Sequence, residues 1–283
     1  IHLCLHDGAL LWDTEALPGF ARVIHGQAMI TGFGTSIRFP FHCLDILSSA
    51  LLTLPALSKV FFEDEFGQGP DEEQSLESMT ELLQSPSLRE VSFGYVNFTK
   101  RLSQAVAKAL TERSEITDLD FWECSFPEGG SAVIARALQT NTTLEGLVFV
   151  DGADDGFYEG LAAALLCNST LRALVCSAPD GSDICSWLSP LFLDLRGNKG
   201  LKELSIDGID IIDEKLGTAM TLGLSKNSAL KSLHLAGIKS GDNGTRLRRE
   251  AFAFLRTNTA LKTLYMHIDN YASESHATAI RME

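Results

Sequence analysis

One seven-residue phrase, Leu-x-x-Asn-x-x-Leu, recurs along the second half of this chain at nearly constant spacing. Its copies begin at Leu138, Leu165, Leu195, Leu224 and Leu255, and they are therefore 27, 30, 29 and 31 residues apart. A unit that repeats at this length is typical of a solenoid, in which each copy buries its apolar side only against its neighbours. This repeat constrains the architecture far more than it constrains the function.

Each phrase is followed by a short apolar alternation of the form Leu-x-x-Leu-x-Leu. The alternation predicts a β-strand, because successive side chains of a strand point to opposite faces of the sheet. In the clearest copy, Leu204 and Ile206 are expected to face inward and Ser205 to face outward. The same alternation continues in looser form back to Leu57, so most of the chain is expected to follow one pattern.

The segments between the alternations have helical spacing. Apolar residues fall at positions i, i+4, i+7 and i+8, which is typical of one face of an α-helix. The sets are Leu102/Val106/Ala109/Leu110, Leu216/Met220/Gly223/Leu224 and Leu247/Ala251/Phe254/Leu255. From Leu51 to Leu255, the last leucine of each helix precedes the first position of the strand alternation by a constant six residues. The constant offset predicts that every copy is one strand–helix unit.

The asparagine of the phrase has a structural explanation. It stands where the chain must leave a helix, and asparagine tolerates the left-handed conformation and bonds nearby backbone groups through its side chain. We therefore interpret these asparagines as structural rather than catalytic.

A stack of such units has to curve. Neighbouring strands lie about 4.8 Å apart, whereas packed helices need roughly 8–10 Å. The strands must then line the inner side of the curve. The sequence thus predicts an α/β solenoid, a horseshoe with a concave parallel sheet and convex helices.

The phrase, the alternation and the period of about 28 residues resemble the ribonuclease-inhibitor-like class of leucine-rich repeats, found also in NOD-like receptors and Ran GTPase activators. The resemblance covers roughly residues 40–270. It implies the fold only, because proteins that share a fold often differ in function. One position departs from that class, which usually has Asn or Cys three residues after the last strand leucine. The chain has Cys124, Gly152, Pro179, Ile209 and Ile238 there.

We expect residues 1–283 to form a single leucine-rich repeat domain with about eight repeats. The first copy, near residues 20–56, is atypical because its alternation, Phe20/Val23/His25, is weak. The last copy begins at Leu261 and is expected to be truncated at Glu283. The chain is accordingly expected to be part of a larger protein.

The net charge of −14 limits the classes of partner that we expect. An acidic surface repels nucleic acids and anionic membranes, so we expect neither as a partner. No apolar run approaches the length of about 18 residues that a membrane span requires. The acidic clusters in the strand-to-helix loops indicate either a solvated rim or a docking face for a basic partner.

The chain lacks the motifs of common catalytic and metal sites. The phosphate-binding Gly-x-x-x-x-Gly-Lys, Gly-x-Ser-x-Gly and His-Glu-x-x-His are absent, so no enzyme activity, cofactor or metal is expected. His2, Cys4 and His6 alternate on a predicted strand, but same-face neighbours are about 7 Å apart, too far for one zinc ion. The six cysteines form no Cys-x-x-Cys pair, which favours a reducing, cytoplasmic location.

The concave face is the best candidate for a functional surface. Large apolar side chains at outward strand positions have no folding reason to be there, and aromatic residues ringed by carboxylates are typical of interaction hot spots. The candidate partner-binding residues are Phe61, Glu63, Glu90, Tyr95, Asp118, Asp120, Trp122, Val148 and Val150. Alternatively, another segment of the protein covers them.

We therefore predict a non-enzymatic protein–protein interaction module that binds its partner on the concave face. One alternative is a regulator of a small GTPase or ATPase, which would need a protruding loop carrying Arg or Asn beside the nucleotide. Another alternative is a structural spacer in a multidomain protein, which a concave face without any apolar patch would favour.

Overall fold

One continuous sheet runs through the chain, and its strands are paired in chain order. The structure is a computed structural model that describes residues 1–5, 16–35, 43–63, 76–112, 114–153, 155–177, 184–209, 212–239, 252–269 and 276–281. Within these ranges the sheet has eleven strands, of which the first ten are parallel and the last is antiparallel to its neighbour. The expected α/β solenoid is confirmed, with ten parallel strands instead of about eight.

Strands and helices alternate along the chain. The strands are β1 (His2–Leu5), β2 (Gly32–Thr35), β3 (Lys59–Glu63), β4 (Glu90–Gly94), β5 (Asp118–Trp122), β6 (Gly146–Val150), β7 (Ala173–Ser177), β8 (Glu203–Asp207), β9 (Ser232–Lys239), β10 (Thr263–Asp269) and β11 (His276–Arg281). The helices are α1 (Ala16–Ile24), α2 (Cys43–Leu51), α3 (Glu77–Leu83), α4 (Lys100–Glu112), α5 (Gly130–Ala137), α6 (Asp155–Cys167), α7 (Ile184–Leu195), α8 (Glu214–Lys226) and a 3₁₀ helix, Ala253–Arg256.

The helices pack side by side, each on the next, from α1 on α2 to α8 on the 3₁₀ helix. The helices share one core with the inward side chains of the strands, and among the described residues no helix packs on the other face of the sheet. Because packed helices need more width than paired strands, this other face is the concave one. Within the described ranges, none of the helices has the length and apolar character needed to cross a membrane.

The alternation of strand side chains is as predicted. In β8, Leu204 and Ile206 are buried, whereas Glu203 and Asp207 are exposed and Ser205 is half-buried. The helical spacing predicted two helices correctly, α4 and α8. In the third predicted helix, Leu247 and Ala251 lie outside the described residues, and Phe254 and Leu255 belong to the 3₁₀ helix.

The prediction for the first repeat was wrong. Phe20, Val23 and His25 do not form a strand, because residues 16–24 form α1. Ile24 is buried while Val23 is 72% exposed, as expected when successive side chains rotate around a helix. The strand of this region is β2, which pairs in parallel with β1 and β3.

A stack of phenylalanine rings fills the N-terminal half of the core. The ring centroids of Phe62 and Phe93 are 5.6 Å apart, those of Phe93 and Phe121 are 5.7 Å apart, and those of Phe121 and Phe149 are 5.0 Å apart. These residues are equivalent positions of β3 to β6, paired by the sheet register. Four large rings in van der Waals contact bury much apolar surface and stiffen this part of the sheet.

The C-terminal half is held by a ladder of asparagines. The Asn198 Nδ2 donates to the carbonyl oxygens of Leu165 at 2.7 Å and Asn168 at 3.1 Å, both in the preceding repeat. Its Oδ1 accepts the N–H of Leu201 at 2.8 Å. The same pattern recurs at Asn168, Asn227 and Asn258. The ladder begins at Asn141, which donates to Leu110 O at 2.8 Å.

The predicted structural role of the asparagines is correct, but the predicted left-handed backbone is wrong. Asn227 is extended, with φ −75° and ψ 127°. Among the described residues, no asparagine has a positive φ. The side chain therefore works across the repeats, pairing buried carbonyls that the helix ends leave without a partner.

Replacing one ladder asparagine should destabilise the whole chain. Asn198→Leu keeps the branching and the number of side-chain heavy atoms and leaves two carbonyls and one N–H buried without partners, so the free energy of unfolding should fall by at least about 3 kcal/mol. Urea denaturation followed by circular dichroism measures this. Lys199→Ala, on the exposed neighbour, is the matched control and should change stability by less than about 0.5 kcal/mol. A loss below about 1 kcal/mol for Asn198→Leu would contradict the role of the ladder.

Candidate protein-binding face

The sheet register places equivalent positions of successive repeats side by side on the concave face. Three rows cross β3 to β6, and each row contains one residue from every strand. The rows are Lys59–Glu90–Asp118–Gly146, Phe61–Ser92–Asp120–Val148 and Glu63–Gly94–Trp122–Val150. All the predicted partner-binding residues except Tyr95 lie in these rows, so the structure brings them together on one surface.

The aromatic members of this face are accessible. Phe61 is 37% exposed and Trp122 is 45% exposed, although both are large apolar side chains. Val148 and Val150, which were expected to be exposed, are half-buried because neighbouring side chains of adjacent strands flank them. The apolar patch is therefore mainly aromatic. Its presence favours recognition over the spacer alternative, which would leave this face without apolar groups.

Tyr95 lies just beyond β4 and not at a strand position as predicted. Its φ is 57°, in the left-handed region that side chains other than glycine rarely adopt. Glu123 and Asp151 occupy the same position in the next two repeats, with φ of 48° and 62°. Backbone bonds hold the turn, since the N–H of Tyr95 donates to Trp122 O and that of Glu123 to Val150 O, both at 2.8 Å.

This turn brings the side chains of Tyr95 and Glu123 together. The Tyr95 hydroxyl donates to Glu123 Oε1 at 3.0 Å, and the Tyr95 residue is 45% exposed. That hydrogen bond, with the negative charge of the same carboxylate, raises the pKa of Tyr95. Glu123 was not among the predicted residues. The repeat period would have indicated Glu123, because it lies one period of 28 residues after Tyr95 and so occupies the equivalent position of the next repeat.

Gly94 shapes the middle of the face. It lies between Glu63 and Trp122 in the third row, and it has no side chain to separate them. The Phe61 ring leans over it, with Cζ 3.6 Å from the point that a β-carbon of residue 94 would occupy. Sequence reasoning missed this residue, because a single glycine in a strand gives no indication of which ring covers it.

Carboxylates surround the aromatic side chains. Asp120 accepts a hydrogen bond from Ser92 Oγ at 3.0 Å, but partial burial outweighs that bond and, with the charges of Asp118 and Glu90, raises the pKa of Asp120. Glu90 is paired with Lys59 at 2.6 Å. The face therefore has a surplus of negative charge close to its exposed rings.

Metal ligands do not converge on this face or elsewhere in the described ranges. No group of three His, Cys, Asp or Glu side chains there is arranged to hold an ion. Of the N-terminal histidines and cysteine considered above, His6 lies outside the described residues. His2 is exposed, and its imidazole lies over Gly32 of the neighbouring strand.

Comparisons with known proteins do not assign a family. No protein-family model matches the chain, and no curated protein sequence matches it. Among solved structures, it is similar to the tropomodulin C-terminal domain of Caenorhabditis elegans, with 14% identity and a TM-score of 0.43, over 55% of this chain and 92% of that one. It is also similar to the leiomodin-1 actin-binding site 2, with 18% identity and a TM-score of 0.39, over 55% and 86%. Likeness this weak supports no conclusion about function.

The charge of Asp120 should reduce the stability of the folded chain at neutral pH. Its pKa is raised above the ordinary 3.8, so the ionised form is less favourable in the folded than in the unfolded state. Asp120→Asn should therefore raise the free energy of unfolding at pH 7, by no more than about 1 kcal/mol because solvent screens a half-buried carboxylate. The gain should disappear as the pH falls through the raised pKa towards 3.8.

Urea denaturation at pH 7 and at pH 3.5 measures this difference. Glu203→Gln removes an exposed carboxylate from the same face and should change stability by less than about 0.5 kcal/mol at either pH. An Asp120→Asn protein that is less stable than the parent at pH 7 would show that the carboxylate has a structural role instead.

Proposed function

We propose that this chain is a non-catalytic protein-recognition module that binds a partner on the N-terminal half of its concave face. The observation that carries the proposal is the group of Phe61, Tyr95 and Trp122, three large rings between 37% and 45% exposed on one surface. Exposed aromatic clusters of this kind mark interaction sites, because a fold gains nothing from leaving them in water. Phe61, Glu63, Glu90, Tyr95, Asp118, Asp120, Trp122, Val148 and Val150 form this proposed surface.

The rigid core beneath the exposed rings favours a role of this face in binding. Phe62, Phe93 and Phe121 lie directly beneath the face and stack on one another, so the backbone beneath Phe61 and Trp122 is fixed before a partner arrives. A surface that is already ordered loses little conformational entropy on association. The hydrogen bond from Tyr95 to Glu123 fixes a third side chain in the same way.

The negative charge of the face favours a partner with a basic surface. Glu63, Asp118, Asp120 and Glu123 are carboxylates without a lysine or arginine partner in the described part of the chain. They would attract a basic protein surface and raise its association rate at low salt. The same charge disfavours nucleic acids and anionic membranes, whose phosphates it would repel.

The cysteines support a cytoplasmic location for this module. Cys124, Cys167 and Cys176 are free thiols, and burial raises the pKa of Cys124 to about 11 and that of Cys176 to about 12. Thiols that stay reduced are typical of a reducing compartment. Within the leucine-rich repeat proteins, the repeat phrase and period favour membership of the ribonuclease-inhibitor-like class.

Photo-crosslinking tests which face meets a partner. p-Benzoylphenylalanine is placed at Val148 on the concave face or at Leu222 on the convex face, where the side chain is 51% exposed. Both proteins are irradiated in extract of the source cells, and the adducts are identified by mass spectrometry. The concave position should give a specific adduct with a basic protein, which disappears when an excess of the unlabelled chain competes.

Trp122→Ala then measures the contribution of the anchor. Since Trp122 is 45% exposed, its removal should cost less than about 1 kcal/mol of folding stability but weaken capture of the cross-linked partner by at least about 2 kcal/mol. Leu222→Ala is the matched control and should change neither. A Trp122→Ala chain that unfolds, or that binds the same partner unchanged, would contradict the proposal, as would adducts formed only at position 222.

A further inference from the structure

Phe61 and Trp122 are exposed on either side of Gly94 on the concave face. Phe61 is on β3 and Trp122 is on β5, two residues further along in the sheet register, so their backbones are about 12 Å apart. Between them lies Gly94, which is buried beneath the edge of the Phe61 ring and the Glu63 side chain, each 3.6 Å from the point that its β-carbon would occupy. In the described part of the chain, the rings of Phe61, Tyr95 and Trp122 do not stack on any other aromatic ring. With 37–45% of each residue exposed, part of every ring is accessible to a guest.

Two carboxylates border the gap between Phe61 and Trp122. Glu63 is next to Gly94 in the sheet register, and Glu123 is joined to Tyr95 through only one of its oxygens. Neither carboxylate forms an ion pair with a described side chain. Aromatic faces attract cations through the negative potential of the ring, and an unpaired carboxylate adds a charged acceptor. Rings and carboxylates thus favour the same guest, a cation.

We infer that the gap bounded by Phe61, Gly94, Tyr95 and Trp122 binds the guanidinium of an arginine side chain, with Glu63 and Glu123 as its hydrogen-bond acceptors. This inference rests on the proposed function, since the arginine belongs to the partner protein. The guanidinium is planar, so it lies flat against a ring face while its N–H groups reach carboxylates at the rim.

Other cations match the site less well. A lysine ammonium is compact and strongly hydrated, and it cannot lie between two walls as a flat group does. A quaternary ammonium has no N–H group to donate, so Glu63 and Glu123 would stay without hydrogen bonds to it. The pair of rim carboxylates is what favours arginine.

Fluorine NMR of the chain labelled with 5-fluorotryptophan tests this inference. The Trp122 signal is identified by its loss in Trp122→Phe, and the signal of buried Trp187 is the internal reference. The probe is N-acetylarginine methylamide, added to about 100 mM at constant ionic strength, a range that covers the weak affinity of a single cation–π contact. The Trp122 signal should shift and saturate, and the Trp187 signal should stay in place.

Matched ligands and variants make the result specific. N-acetylcitrulline methylamide has nearly the same shape without the charge and should give no saturable shift, and the lysine analogue should bind at least about five-fold more weakly than arginine. Gly94→Leu fills the gap and should abolish the shift. Gly94→Ala should retain it, because its β-carbon would meet Glu63 and Phe61 at 3.6 Å, an ordinary contact. Glu123→Gln should weaken binding about five-fold.

Equal shifts with arginine and citrulline would overturn the inference, as would the absence of a shift with arginine up to the highest concentration. A stronger shift with tetramethylammonium than with arginine would also overturn it and would indicate a quaternary ammonium site. The proposed function is tested separately by the cross-link at position 148. A persistent cross-link with no arginine binding refutes only the guanidinium site, whereas arginine binding with no concave cross-link refutes the protein-recognition module.

Discussion

The hydrogen bonds of the asparagine ladder hold each repeat in a fixed position relative to the one before it. Each ladder amide from Asn168 onward donates to two carbonyls of the preceding repeat, and its own carbonyl accepts from the leucine that leads into the next strand. Because these groups are buried, a repeat that slipped by one residue would leave several of them without partners, at about 1–3 kcal/mol each. A slip would also turn the leucines outward and the polar residues inward.

The N-terminal half reaches the same fixed register by another means. At the positions equivalent to the ladder, it has Leu54 and Ser85 in place of asparagine. The stacked rings from Phe62 to Phe149 lie in this region, at equivalent positions of β3 to β6. The proposed binding face therefore lies over the part of the core held by aromatic packing. Side chains facing inward set the register there, and those facing outward, Phe61 and Trp122, remain available to a partner.

The sequence predicted the architecture well where the pattern is periodic and poorly where tertiary contacts decide. The alternation and the constant offset predicted the strands from β3 to β10, because leucines at fixed spacing leave few alternatives, but they did not predict the antiparallel β11. They failed at the first repeat: β2 is only Gly-Phe-Gly-Thr, a segment of low intrinsic strand preference that becomes a strand because β1 and β3 pair with it. The outward positions on β3 to β6 followed from the alternation. The roles of Gly94 and Glu123 did not, because they depend on a ring that crosses a strand and on a left-handed turn.

One register divides the aromatic residues of β3 to β6 into a buried group in the core and an exposed group on the concave face. Hydroxyl-radical footprinting with mass spectrometry measures both groups at once in the free protein. We expect fast oxidation of Phe61, Tyr95 and Trp122, which are 37–45% exposed, and slow oxidation of Phe93, Phe121 and Phe149, which are fully buried. Slow oxidation of the first group would show that another segment covers the face, and fast oxidation of the second would show that the register is wrong.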